Sequence, residues 1–151
     1  MHVALDSNTL GLLVHPTEGK EPGACRAWVR EIGRAGAQLI VPEIADYELR
    51  RELVFIGSGK SLARLDDFQR RHRFLVLTST MLRRAADLWA DARKSGTPTA
   101  DRKSLDVDVI LAAQVQLYAA AFDTPVILAT TNVRHLGQFV DARPWQVIQP
   151  G

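Results

Sequence analysis

Cysteine is nearly absent from this chain of 151 residues, in which Cys25 is the only one. A single thiol cannot form an intrachain disulfide, so a reducing compartment fits best. The first residues lead straight into a strand-like segment, without the basic, apolar and cleavage regions of a signal peptide. No apolar run approaches the roughly 18 residues that a membrane span needs. We therefore expect a soluble cytoplasmic protein that contacts no membrane.

Internal repeats, low-complexity tracts and long linkers are missing as well. Hydrophobic residues make up 46% of the chain and charged residues 24%, close to the averages for soluble globular proteins. A domain of this length buries roughly two thirds of its unfolded surface, so it needs no disulfide or metal ion to fold. The chain is therefore predicted to form a single domain over residues 1–151.

Lysine is scarce, because the 19 basic residues are mostly arginines, and several of these stand in groups at 50–51, 70–73 and 83–84. The guanidinium group presents a flat set of donors that suits phosphate. Paired arginines on helices are nevertheless more often a solvated face. The net charge of +2 and the isoelectric point of 9.0 thus permit a nucleic-acid partner without establishing one.

Short apolar runs rich in β-branched residues alternate with longer stretches of helical periodicity. Most of the runs show little polar alternation, as expected of strands buried on both faces of a parallel sheet. The runs cover residues 3–5, 39–41, 74–77, 126–129 and 147–148, and the helical stretches cover 24–35, 44–56, 62–68, 82–93 and 105–122. We predict an α/β fold with a mainly parallel central sheet of about five strands, flanked by helices.

Capping residues mark the ends of several predicted helices. Thr78 or Ser79 is predicted to cap the helix after the third strand, and Gly96 to end it. Gly57 stands where the helix 44–56 should end, and Ser104 is predicted to cap the most apolar helix. Ligands of open parallel sheets gather at the carboxyl ends of the strands, so the polar residues that follow each strand are the functional candidates.

Acidic residues follow the first two predicted strands. Asp6 comes directly after the first strand, where it could also simply cap the next helix. Pro42 suits the start of a helix after the second strand, and Glu48 and Glu52 then fall one turn apart on one face. A single helical glutamate more commonly faces solvent, so neither position is informative alone.

Two aspartates, Asp106 and Asp108, stand at the mouth of the apolar helix 105–122. The helix dipole favours aspartate near a helix N-terminus, which explains one of them. Asp108 is harder to explain, because Val107, Val109 and Leu111 surround it with apolar side chains. A buried carboxylate needs a partner or a metal ion, which makes Asp108 a candidate ligand.

A Thr-Thr-Asn turn at 130–132 follows the fourth predicted strand. Asn132 could cap a short helix there, and His135 is more commonly a surface or packing residue than a ligand. Taken together, these segments place Asp, Glu, Asp and Asn at or near successive strand ends.

In these segments the chain resembles the PIN-domain family, particularly the VapC-like toxin nucleases. The resemblance spans residues 3–136 in the family's order, so it covers nearly the whole chain. It rests on Asp6-Ser7-Asn8, on Tyr47-Glu48-Leu49, on Asp108-x-x-Leu111-Ala112-Ala113 and on Thr-Asn-Val-Arg-His-Leu at 131–136. It implies a PIN-like fold and a metal-dependent endoribonuclease that hydrolyses phosphodiester bonds of RNA.

The resemblance also implies the roles of the acidic residues. Asp6, Glu48 and Asp108 match the family's catalytic positions that bind Mg²⁺ or Mn²⁺, ions that prefer oxygen ligands. The fourth acidic position falls in the turn at 132–135, where this chain has Asn132, which is still an oxygen ligand. Asp106, or Asp101 in the preceding loop, could supply the missing charge.

Residues beside these motifs are the candidates for binding the substrate, which we expect to be single-stranded or looped RNA. Asn8, Arg51 and Arg134 are predicted to contact it, with Arg50 a further candidate for phosphate. Tyr47 and Trp145 could stack on bases, although core packing is the more common role of such side chains.

The resemblance further implies a homodimer or a pair of dimers, and a toxin held by a small antitoxin protein. A stand-alone RNA-processing nuclease is equally compatible with the residues. A non-catalytic PIN-like module that binds RNA or protein stays open, because the fourth carboxylate is missing. A phosphatase or receiver domain is disfavoured, because the first strand lacks Asp-x-Asp and no lysine stands where a receiver domain needs one.

Overall fold

The computed structural model describes residues 1–17, 19–96 and 102–151, and only the backbone of residues 102–104. Five strands and seven α-helices make up this part of the chain. The strands are β1 His2–Leu5, β2 Gln38–Pro42, β3 Arg73–Leu75, β4 Val126–Ala129 and β5 Asp141–Arg143. The helices are α1 Ser7–Val14, α2 Lys20–Arg34, α3 Glu43–Ile56, α4 Gly59–Arg71, α5 Ser79–Lys94, α6 Arg102–Phe122 and α7 Val133–Leu136, followed by a 3-10 helix at Trp145–Val147.

The strands form one sheet in the order β3-β2-β1-β4-β5, and every pairing in it is parallel. The register places His2 opposite both Gln38 and Val126, so β1 lies at the centre. Its residues Val3, Ala4 and Leu5 are at most 1% exposed, as an apolar strand covered on both faces should be. The predicted α/β class and parallel sheet are confirmed.

The fifth strand was predicted in the wrong place. Residues 147–148 follow the sheet instead, where Val147 ends the 3-10 helix and the carbonyl of Ile148 accepts a hydrogen bond from the Trp28 indole at 2.9 Å. The actual strand, β5, is a three-residue edge strand whose Asp141 and Arg143 are exposed and paired with each other at 2.9 Å. An edge strand this short is held mainly by backbone hydrogen bonds to its one neighbouring strand. It therefore does not need an apolar run, and the sequence carries no pattern that would predict it.

Helix ends agree with the predicted capping residues in three cases and differ in a fourth. The Thr78 hydroxyl accepts from the Met81 amide at 3.2 Å, and Gly57 ends α3 with a φ of +73°. Ser104 lies inside α6, which begins at Arg102, so its predicted capping role is wrong. Gly96 has a φ of +64° just beyond α5, as expected of a residue that ends a helix.

Helix α6 contains an 18-residue segment, Leu105–Phe122, with a mean hydropathy of 1.4, long and apolar enough by composition to cross a membrane. The expectation that no such run exists was therefore wrong. The helix contacts α3, α5, β2 and β4, and Ala112, Ala113 and Gln114 on it are fully buried. Packing within the domain accounts for its apolar composition.

Candidate functional site

A pocket of about 240 Å³ lies at the carboxyl ends of β1 and β4, between α1, α3 and α6. This is the edge where the fold class predicts a ligand site. Its lining is Asp6, Ser7, Asn8, Glu48, Leu49, Glu52, Val107, Asp108, Leu111, Asn132 and Leu136. The structure thus brings together the three predicted catalytic carboxylates, Asn132 and Asn8, which come from positions up to 126 residues apart in the chain. We refer to this pocket as the acidic pocket.

Asp6 is held rigidly at the centre of the sheet edge. Its carboxylate is 5% exposed and accepts a hydrogen bond from the Thr9 amide at 2.8 Å through Oδ1 and one from the Thr130 hydroxyl through Oδ2. The first bond caps α1, so the capping interpretation of Asp6 is confirmed, and the residue lines the pocket as well. Each carboxylate oxygen can accept more than one bond, so Asp6 keeps capacity for a cation.

Glu48 projects from α3 and is half-buried, although a single helical glutamate was expected to face solvent. Its Oε1 accepts a hydrogen bond from the hydroxyl of Ser7, the residue that follows Asp6. Gln114 on α6 positions the start of α3, because its side-chain oxygen accepts from the Ile44 amide at 3.1 Å while its nitrogen donates to the Leu75 carbonyl at 2.9 Å.

The surroundings of Asp108 disfavour its negative charge. Burial raises the pKa of Asp108 to about 6, and the nearby negative charge of Glu48 adds to the rise. The charge of His135 and a hydrogen bond from the Asn132 amide nitrogen, 3.3 Å from Oδ2, act in the opposite direction. These surroundings agree with the sequence argument that Asp108 is a partly buried carboxylate in need of a partner.

Asn132 stands at the N-cap position of α7, but its side chain does not cap that helix. The side chain turns to Asp108 instead, while its backbone amide donates to the Thr130 hydroxyl at 2.9 Å. Thr130 therefore connects Asp6 to the turn that carries Asn132. Asn8, which is exposed, donates to the Thr131 hydroxyl at 2.9 Å and closes the rim of the pocket.

Three lining or supporting residues were missed by the sequence analysis. Ser7 and Thr130 each follow a functional strand directly or by one residue, so their positions carried a signal that could have been used. Glu52 was noted on the same face as Glu48 but was not assigned to the site, and it lines the pocket from one turn further along α3.

The acidic pocket does not include Asp106. That residue is exposed and lines a separate groove with Leu82 and Trp89 of α5, so its candidacy as a metal ligand is not supported by its position. Positions two apart on an α-helix point about 200° away from each other, which places Asp106 and Asp108 on opposite sides of α6. Asp101 lies outside the described residues.

The predicted substrate-binding arginines lie outside the pocket. Arg51 is exposed on α3, with its guanidinium carbon 5.5 Å from the centre of the Tyr47 ring. Tyr47 is 55% exposed, so the expectation that it packs in the core was wrong. Arg134 is exposed on α7 beside Asn132.

Arg50 and Trp145 have structural roles. Arg50 is held by Asp46 and Asp66, each at 2.8 Å, which removes it as a candidate for phosphate. Trp145 is 6% exposed and packs on Trp28 with ring centroids 5.7 Å apart, which confirms its predicted core role.

The donor chemistry of the acidic pocket fits a hard divalent cation. Carboxylate and amide oxygens are the ligands that Mg²⁺ and Mn²⁺ prefer, and two neighbouring carboxylates raise each other's free energy until a cation neutralises them. Among residues 1–17, 19–96 and 102–151, no group of three or more acidic, histidine or cysteine side chains is arranged to hold a metal ion as the side chains stand. The more open arrangement around the cavity suits an ion that keeps several water ligands, as Mg²⁺ does.

No protein-family model matches the chain, and no curated protein matches its sequence. Solved structures do match it. A chain in the crystal structure of VapBC2 from Rickettsia felis bound to a DNA fragment from their promoter has a TM-score of 0.66 and 14% identity, over 96% of this chain and 99% of that one. A chain in the structure of VapBC-1 from nontypeable Haemophilus influenzae has a TM-score of 0.64 and 16% identity, over 97% and 99%. At such identities the likeness establishes the fold, so the resemblance to the PIN-domain family is confirmed at the level of the fold.

Proposed function

We propose that this protein is a Mg²⁺- or Mn²⁺-dependent endoribonuclease that hydrolyses phosphodiester bonds of RNA in the acidic pocket. The observation that carries the proposal is the meeting of Asp6, Glu48 and Asp108 around one cavity, although they come from three distant segments. Burial and Glu48 already disfavour the charge of Asp108, so a bound cation would relieve a cost that the fold otherwise retains.

The side chains of the acidic pocket would hold the ion and keep it in position. Asp6, Glu48, Asp108 and Asn132 would provide its oxygen ligands. Thr130 and Ser7 orient the first two through their hydroxyl groups, and such supporting bonds commonly decide metal affinity. When bound, the ion supplies Lewis-acid chemistry and an activated water for attack on phosphorus.

A protein nucleophile is not needed for this reaction, and Cys25 is unsuited to that role. It is fully buried in α2, and burial together with the charge of Glu21 raises the pKa of its thiol to about 12. The thiol therefore stays protonated near neutral pH.

The surface of α3 beside the pocket supports RNA as the substrate. The guanidinium of Arg51 lies over the exposed Tyr47 ring and has no acidic partner among the residues that the structure describes, whereas its neighbour Arg50 is neutralised by two aspartates. Exposed aromatic rings next to cationic side chains suit single-stranded nucleic acid, because bases stack on the ring and phosphates pair with the guanidinium. Asn8 lies at the other rim of the pocket, and Arg134 is exposed on α7 two residues after Asn132, so both would contact the RNA from that side.

We further propose that the enzyme acts as a toxin with a small antitoxin partner. The two similar structures are VapBC complexes. The end of α3 also carries an apolar patch that suits a partner protein, in which Val54 is 62%, Phe55 91% and Ile56 68% exposed. The groove beside Asp106, with Leu82 46% and Trp89 37% exposed, supports the proposed homodimer.

Cleavage of a mixed panel of single-stranded RNA tests the proposed activity directly, with Mn²⁺, with Mg²⁺ and with EDTA. The Asp108→Asn variant should lose cleavage, and Asp106→Asn should retain it. The two residues are two positions apart on one helix, but only Asp108 lines the pocket. Equal losses in both variants would contradict the site. RNA binding without cleavage under any metal would instead favour a non-catalytic module.

A further inference from the structure

A second cavity, of about 280 Å³, lies at the opposite end of α1 from the acidic pocket. It is enclosed by the end of α1, the following loop, α2 and α4, and it shares no lining residue with the acidic pocket. The eight residues of α1 span about 12 Å between the two. Its lining is Leu13, Val14, Pro16, Thr17, Arg26, Arg64, Asp67, Phe68 and Arg71. We refer to it as the arginine cavity.

The charges around the arginine cavity do not balance. Within the described lining, three guanidinium groups face the single carboxylate of Asp67. That carboxylate pairs with Arg71 at 2.9 Å, but the two side chains are 54% and 63% exposed, so solvent screens the pair and it neutralises little. An excess of positive charge therefore remains, and it comes from two helices that the fold brings together.

Capping of α1 accounts for only part of this arrangement. The last carbonyls of α1 and its cap are satisfied by the Ser61 hydroxyl, which donates to Val14 at 3.0 Å, and by Arg64, which donates to His15 at 2.5 Å. Arg26 takes no part in these bonds. Its position in the cavity therefore needs a separate explanation.

Arg26 has an unsatisfied donor. Its Nη1 atom is buried and meets no hydrogen-bond acceptor among the residues that the structure describes. A buried charged donor without a partner is costly, and folded proteins rarely retain one. An anion in the cavity, met by a small rotation of the guanidinium, would provide the missing acceptor and balance the charge.

We propose that the arginine cavity binds a phosphate group, either free or within the backbone of a polynucleotide. Guanidinium groups pair with phosphate through two parallel hydrogen bonds, and three of them around one cavity suit an anion with several oxygens. The site is separate from the acidic pocket and does not depend on the nuclease activity proposed above.

Titration of the metal-free protein with inorganic phosphate tests the site, with EDTA present and the ionic strength held constant. Calorimetry should detect binding to the wild type. Arg26→Gln should weaken it by about tenfold or more, since charge-assisted bonds are lost. Arg30→Gln is the matched control, because Arg30 is exposed one turn further along α2 and does not line the cavity. That variant should bind phosphate as the wild type does.

Thermal unfolding without phosphate shows whether the variant still folds. Arg26→Gln should be at least as stable as the wild type, because it removes a buried donor that has no acceptor among the described residues. Absence of phosphate binding by the wild type, or equal affinity in wild type and Arg26→Gln, would overturn the proposal. So would equal losses in the two arginine variants.

A short single-stranded RNA without terminal phosphates, also titrated in EDTA, distinguishes the two sources of the group. If the cavity holds backbone phosphate, Arg26→Gln weakens RNA binding and free phosphate competes with RNA. If it holds free phosphate, RNA affinity is the same in both proteins while phosphate affinity falls. Asp108→Asn should leave phosphate binding intact, so failure of the cavity and failure of the nuclease site give different results.

Discussion

The two ends of α1 present pockets of opposite charge, and they differ in what each still needs. In the acidic pocket, every predicted carboxylate already has a hydrogen-bond donor, namely Thr9 and Thr130 for Asp6, Ser7 for Glu48 and Asn132 for Asp108. What remains there is the burial of the Asp108 charge and, after that, its repulsion by Glu48.

The arginine cavity shows the reverse situation. Its positive charge is spread over three exposed or half-buried side chains, but Arg26 has a buried donor with no acceptor in the part of the chain that the structure describes. Repulsion between placed carboxylates is relieved by a cation, and a missing acceptor by an anion. The two sites at the ends of one helix are therefore recognised by different unfavourable features. In the acidic pocket the feature is a disfavoured negative charge, and in the arginine cavity it is a hydrogen-bond donor in need of an acceptor.

The largest expected effect is a loss of RNA cleavage when carboxylates of the acidic pocket are replaced, with phosphate binding in the arginine cavity unchanged. Asp6→Asn and Glu48→Gln should each reduce RNA cleavage by about 100-fold or more, since removing a direct ligand should cost at least what removal of a supporting group does. Both variants should still bind phosphate as the wild type does. Cleavage rates that stay within a few-fold of wild type in both variants would remove these residues from the site.

A smaller effect is expected when the Thr130 hydroxyl, which donates a hydrogen bond to Asp6, is removed. Thr130→Val keeps the side-chain shape but removes the donor to Asp6 and the acceptor for the Asn132 amide. Metal affinity or activity should fall by about 10 to 100-fold, and the free energy of unfolding by about 1–3 kcal/mol. Thr131→Val is the control, because that hydroxyl is exposed and bonds only to Asn8 among the residues described. Similar losses in both threonine variants would argue against a specific role for Thr130.

The smallest effect concerns stability against pH. The pKa of Asp108 is raised from 3.8 to about 6 in the fold, so its ionisation destabilises the native state. The cost is absent below pH 3.8, grows between pH 3.8 and 6 and is complete above pH 6. After allowance for solvent screening it amounts to about 1–2 kcal/mol.

Denaturant unfolding in EDTA, at pH 5 and at pH 8, measures this cost. Asp108→Asn should be more stable than the wild type, and the difference should be larger at pH 8. A difference that does not change with pH would show that the charge of Asp108 is not strained. Asp106→Asn is the matched control, because Asp106 lies on the same helix but is exposed and does not line the acidic pocket.

Much of the candidate site could be predicted because its residues follow strands or interrupt an apolar helix. Asp108 was identified from its apolar neighbours, and the same helical periodicity could have shown that Asp106 points the other way. The exposure of Tyr47 could not be predicted, because an aromatic residue on a helix looks the same whether it faces the core or solvent. The edge strand β5 was misplaced for a related reason, since its backbone pairing leaves no apolar pattern.

The sequence by itself determined the order of the first four strands and of the five longer helices, the buried parallel sheet and the acidic residues at the strand ends. These features depend on local periodicity and on the rule that parallel strands end at one edge. Tertiary structure decided which hydroxyl orients Asp6 across 124 residues, which of two adjacent arginines is paired with aspartates, and that positions 26, 64 and 71 share a cavity. Such contacts depend on how distant helices and strands pack against one another. The spacing of residues within one segment does not show which other segment it will contact.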